Sequence, residues 1–225
     1  QVRVLRHPVR PRGTGPCVVL LHAPGSSAAA QDGLAGEIGR HADVLNIDLP
    51  GHGASDPPAV GAEPGATLDA VVAQLAAALA PEVPTDRAIL VVLGDSGPVA
   101  VELARRLGPG TPVILVEPPS RSAADTADWL QFGLSPLTPV WSGGHLLEAW
   151  HRVRDGRLFT PWFRREHAGI RKGEPDLDDR RIQQDVNDLL RANGTWQDLL
   201  RDTLLYRRRP ASSSEPRIIE LPAPP

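Results

Sequence analysis

One stretch constrains the fold more than any other: "ILVVLGDSGPVAVELARRLG", residues 89–108. An unbroken apolar run from Ile89 to Leu93 stops at Gly94-Asp95-Ser96. Val99, Ala100, Leu103, Ala104 and Leu107 then recur at helical spacing, and Gly108-Pro109-Gly110 stops the pattern. A strand must therefore bend directly into a helix. No polar residue alternates within the run, so both faces of the strand are covered, as in parallel sheets packed between helices.

The rest of the first half repeats this grammar. "VRVLR" (2–6), "CVVLLHA" (17–23), "DVLNIDLPG" (43–51) and "TPVILVEPP" (111–119) read as strands. Helices fall between them. "TLDAVVAQLAAALA" (67–80) is predicted to be capped by Thr67, with Leu68, Val71, Val72, Leu75 and Leu79 on one face. "AAQDGLAGEIGRHA" (29–42) is a weaker helix, interrupted by Gly33 and Gly36. The alternation predicts an α/β fold, a mostly parallel sheet flanked by helices.

The second half differs. All five Trp, all three Phe and the one Tyr lie between Trp129 and Tyr206. Helical patterns dominate: Leu146, Trp150 and Val153 share one face, and Ile182, Val186, Leu189 and Leu190 another. Thr195 is predicted to cap a final helix, with Asp198 at the capping-box position. Residues 120–209 thus read as an inserted all-helical cap on a core formed by 1–119. Residues 210–225, rich in Pro and Ser, read as a linker toward a further part of the core.

Charge and composition exclude several function classes. A formal net charge of −3 gives no electrostatic basis for binding nucleic acid or an acidic membrane surface. No apolar run approaches the roughly 18 residues of a membrane span. The single cysteine, Cys17, cannot form an internal disulfide, which favours a reducing, cytoplasmic setting. No His/Cys/Asp cluster has metal-ligand spacing and no glycine-rich phosphate loop is present, so no metal and no cofactor are expected. The partner expected is a small-molecule substrate, in an oligomeric state that the sequence leaves open.

Gly94-Asp95-Ser96-Gly97-Pro98 admits two readings. It looks like the active-site signature of a chymotrypsin-like protease, but that fold is all-β, and the helix after Ser96 excludes it. The other reading is a nucleophile elbow, which holds a side chain on a tight strand-to-helix turn above a helix N-terminus. Three motifs then stand in order: "VVLLHAPGSSA", "NIDLPGHGASDP" and "VVLGDSGPVAVELA". Together they resemble the lid-bearing members of the α/β-hydrolase fold family, over residues 2–119. The resemblance implies a serine hydrolase acting on a small, largely apolar ester through an acyl-enzyme at Ser96. The N–H groups of Gly97 and Ala23 would form the oxyanion hole, and His22 would hold its loop.

The pattern departs from the family in three places. Pro98 stands two residues after Ser96, where a glycine is usual; were Asp95 the nucleophile, as in the epoxide-hydrolase and dehalogenase relatives, Gly97 would be the small residue after it. Pro24 lacks the N–H that the oxyanion loop needs, so Ala23 or Gly25 must donate instead. The family order ends in an acid and a histidine, yet none of the 19 residues after Tyr206 is His. "RIIELPAPP" resembles the lead-in to a seventh strand, so a truncated and by itself inactive chain is one expectation. A non-catalytic ligand- or partner-binding member is the other. Glu117, ending the strand "PVILVE", is a candidate acid. Trp150, His151 and Trp162 are candidates for a substrate pocket, and Trp141, Trp150, Phe159, Trp162 and Phe163 for the cap's own core.

Overall fold

The computed structural model describes all residues except 8–14, 62, 64, 85, 109, 208–215 and 222–225. The Pro- and Ser-rich part of the expected linker lies outside the described residues. Six strands form one sheet: β1 (Val4–His7), β2 (Cys17–Leu21), β3 (Asp43–Ile47), β4 (Ala88–Leu93), β5 (Val113–Val116) and β6 (Ile218–Leu221). Their spatial order is β1-β3-β2-β4-β5-β6. Only β1 runs antiparallel, against β3; every other pairing is parallel. The fold is the predicted α/β class. β6 falls within the segment read as a linker, and its pairing with β5 places Ile218–Leu221 in the sheet.

Helices cover both faces. On one side, α2 (Ala66–Leu79) and α3 (Gly97–Leu107) seal a core of Val19, Leu21, Ile47, Leu75, Leu90 and Leu103. On the other, α1 (Asp32–Ile38) packs against Val18, Leu20, Val44 and Val91. The apolar positions expected of α3 are all buried, and so are those of α2. The start of α2 differs from expectation. Thr67 is buried and Gly65 is the N-cap, at φ +83. The Asp202 carboxylate does the capping, accepting from the Gly65 and Leu68 amides at 3.2 and 3.0 Å.

Between β5 and β6 run α4 (Ala123–Asp128), α5 (Gly144–Leu158), α6 (Asp179–Arg191) and α7 (Thr195–Leu205). Two small cores hold this insertion. Leu137, Ala149, Ile182 and Val186 form one; Leu134, Ala192, Trp196 and Leu200 form the other. The rings of Trp129, Phe132, Trp162 and Phe163 cluster nearby, with centroid separations of 5.4 to 6.0 Å. Trp141, expected in this core, is fully exposed, and Leu146 is half exposed. The buried stripe of α5 is Ala149, Arg152 and Asp155 instead. Gly194, not Thr195, precedes the first turn of α7, and its amide donates to Gln197 Oε1 at 2.6 Å.

The strand order fixes where a cleft can form. From β2 the chain crosses to β3 on one side, then returns to β4 on the other. The loops leaving β2 and β4 therefore diverge at the carboxyl end of the sheet. Such switch points are where open α/β sheets bind ligands.

Candidate active site

Pairing of Leu21 with Val92 brings the two divergent loops side by side. One carries His22, Ala23, Pro24 and Gly25. The other carries Gly94, Asp95 and Ser96. Gly94 directly follows the last residue of β4 and has φ +62, in the left-handed region that favours glycine. A Cβ built on it would meet Ala23 Cβ at 3.4 Å, an ordinary contact. Gly94 also lines a cavity of about 340 Å³, together with Asp95, Gly97, Pro98, Leu115 and Thr203. The tip of the strand-to-helix bend is thus a position that has room for a side chain and carries none.

Ser96 does not occupy that tip. It is fully buried, with φ −83 and ψ 10, on the single 3-10 turn that leads into α3. Its hydroxyl donates to the His22 carbonyl at 2.7 Å. Small size suits it to this place, because β4, α3 and the loop after β2 converge there. Asp95 is partly buried, and both its oxygens accept from the Arg121 guanidinium, Oδ2 at 3.0 Å. Arg121 in turn lies 5.2 Å over the Trp129 ring. The amide that follows the left-handed residue belongs to Asp95. Gly97, the expected oxyanion donor, is the first residue of α3.

Beneath the bend lie two histidines. The Leu49 amide donates to His22 Nε2 at 3.0 Å, so Nε2 is bare and the proton sits on Nδ1, which donates to the Ala23 carbonyl at 2.8 Å. This is the loop-holding role expected of His22. His52 packs 5.4 Å from it and bonds the Pro50 carbonyl at 3.1 Å through Nδ1. Burial holds the His22 ring well below its ordinary value. Burial and then the His22 ring bring His52 down to about 3. Unfolded histidines protonate near pH 6.5, whereas these two must stay neutral in the fold. Their contribution is therefore complete above pH 6.5 and is lost as the pH falls below it. We expect the unfolding free energy read by urea titration to drop from pH 6.5 downward, by up to about 1.4 kcal/mol per pH unit for each ring. The His52→Asn variant should show a shallower decline.

Asp48 ties the loops together from below. Its carboxylate accepts from the Ala28 amide at 2.7 Å, the Ala54 amide at 2.9 Å and Arg3 Nη1 at 3.2 Å. The insertion closes over the loops. Ser27 Oγ donates to the buried Asp188 of α6 at 2.6 Å. Cβ atoms built on Gly25 and Gly51 would meet the side chains of Trp196 and Thr195, at 3.6 and 2.6 Å.

Glu117 follows Val116, which pairs with Leu93 beside the bend, whereas Trp150, His151 and Trp162 belong to the insertion. Glu117 is exposed at the end of β5 with φ +50, the only positive φ of a non-glycine among the described residues. Its amide, at 2.8 Å from the Leu221 carbonyl, joins β5 to β6. Trp150 packs against the α5–α6 core, with Arg154 5.9 Å over its ring. His151 neighbours it, partly exposed on α5. Trp162 lines a separate, larger cleft between the insertion and the loop after β2. Sequence reasoning missed Gly94 and the buried Arg152. A glycine placed directly after the last strand residue was the available signal for the first. Among the described residues no cluster of His, Cys, Asp or Glu could hold a metal ion, and no helix is long and apolar enough to cross a membrane.

The alternating layers, the switch-point cleft and the glycine-lined bend define an α/β-hydrolase scaffold. The model of the alpha/beta hydrolase family matches residues 18–225, and the chain belongs to that family. Solved structures agree on the fold. The chain is similar to an epoxide hydrolase from an endophytic Streptomyces, at 17% identity and a TM-score of 0.59, over 90% of this chain and 68% of the other. It is similar to epoxide hydrolase A from Mycobacterium thermoresistibile, at 16% identity and a TM-score of 0.61, over 90% and 71%. An enol-lactonase from Burkholderia xenovorans LB400 aligns at 15% identity with a TM-score of 0.52, over 90% and 69%. No match was found among curated proteins.

Proposed function

We propose that this chain is a non-catalytic member of the α/β-hydrolase family, which binds a small molecule between its core and a helical cap without cleaving it. One observation carries the reading: the left-handed residue at the strand-to-helix bend is Gly94, so no nucleophile stands there. Covalent catalysis requires an oxygen or sulfur at the point that the bend presents to the cleft.

The serine-hydrolase reading asks Ser96 to attack an ester, with Gly97 and Ala23 holding the oxyanion. Full burial of the Ser96 hydroxyl and its bond to the His22 carbonyl weigh against it. Attack through Asp95 would first have to free its carboxylate from Arg121. Treatment of the folded protein with a fluorophosphonate, read by mass spectrometry, tests the proposal. The expected result is no adduct on Ser96. An adduct that disappears in Ser96→Ala would overturn the non-catalytic reading. The same variant should lose about 1 kcal/mol of stability, the worth of one buried hydrogen bond.

A further inference from the structure

A second cleft lies away from the bend. It has a volume of about 1020 Å³ and opens between the loop after β2, α1 and the facing helices α5 and α6. Ser26, Ala29, Ala30 and Gly33 make a floor of small residues. Leu34, Val153, Trp162 and Leu189 give it apolar walls, and Leu34 is 37% exposed there with nothing covering it.

The charged lining is unbalanced. Five cations face the cleft: Arg152, Arg157, Arg171, Lys172 and Arg181. Three acids oppose them: Glu174, Asp176 and Asp185. Arg157 and Arg181 are held by Asp176, at 3.4 and 2.7 Å, and Arg157 also pairs with Asp185. The Arg171 Nε donates to the Phe159 carbonyl at 3.3 Å, and Glu174 is exposed at the rim. Neither Lys172 nor Arg171 makes an ion pair among the described residues. Arg152 is the unusual member. Only 3% of its side chain is exposed; it stacks 5.0 Å over Trp162, donates to the Ser135 carbonyl at 2.6 Å and pairs with Glu148. Its Nε–H has no partner.

We propose that this cleft binds an organic carboxylate with an apolar body. Lys172 and Arg171 draw the carboxylate, while Leu34, Val153, Trp162 and Leu189 receive the body. Two cations without an ion pair beside an apolar wall suit a singly charged group with an apolar body; a polyphosphate would need more unpaired cations than the cleft offers. The inference rests on the ligand-binding reading above and supplies its site and ligand class.

Calorimetric titration of the whole chain with octanoate, 1-octanol and inorganic phosphate tests it. Octanoate should bind, and the other two should not. The surface variants Lys172→Met and Leu34→Glu, their folds checked by circular dichroism, should weaken octanoate about 3-fold and about 10-fold or more. Octanol binding as well as octanoate would overturn carboxylate recognition. Phosphate binding as well would overturn the apolar body. Octanoate that fails to bind, or that binds both variants unchanged, would overturn the site. Release of 4-nitrophenol from 4-nitrophenyl octanoate is read separately: it would defeat the non-catalytic reading and leave carboxylate binding in place.

Discussion

Replacing Asp48 by alanine should lower the unfolding free energy by about 4 kcal/mol, enough to leave much of a marginal domain unfolded. The carboxylate is wholly buried and is the acceptor for the Ala28 and Ala54 amides and for Arg3. Its removal strands the buried Ala28 amide away from water, at about 1–3 kcal/mol, and unpairs the Ala54 amide and a cation. Gly53→Ala should damage the same place from the other side. Its φ is +53, and its new Cβ would lie 2.3 Å from the Asp48 carboxylate. Urea denaturation followed by far-ultraviolet circular dichroism reads both variants. A loss below 1 kcal/mol in Asp48→Ala would mean that the loops are not organised around this carboxylate.

Cysteine placed at the bend should react far faster than cysteine placed two residues on. In Gly94→Cys the thiol enters the cavity beside Ala23, above the N-terminus of α3, where thiolate is favoured. In Ser96→Cys it enters a fully buried position. Alkylation there must wait for local opening, which costs several kcal/mol. Rates with iodoacetamide should therefore differ by about 100-fold or more. The native Cys17 is an internal reference, since it is buried and its thiol is pushed up chiefly by that burial. The left-handed conformation costs Gly94→Cys about 1–2 kcal/mol, which the fold should tolerate. Equal rates, or faster reaction in Ser96→Cys, would return the serine to the tip and reopen the hydrolase reading.

The sheet was legible because burial on both faces writes itself as unbroken apolar runs, and α3 because its buried residues repeat at helical spacing. The bend was legible as a place but not in detail. Gly94 and Ser96 are both small, and which one takes the left-handed conformation is decided by where β4 ends. Once Gly94 is the bend, Pro98 ceases to be a departure. It is the second residue of α3, where a missing N–H is harmless. Local rules failed where distant groups intervene. Thr67 reads as a cap, but Asp202 reaches the amides first. Periodicity put Leu146 inside α5, but Arg152 and Asp155 are inside, and no hydrophobic pattern announces a buried ionic face.

The carboxylate that closes the first turn of α2 arrives late. Asp202 lies 134 positions beyond Leu68, on the far side of two strands and most of the aromatic half of the chain. During synthesis α2 must emerge with its leading amides bare, and it can be completed only after α7 has docked. Assembly of this molecule should therefore finish near its beginning: the early helix stays frayed until the late one lands, and interrupting that landing should loosen residues made long before.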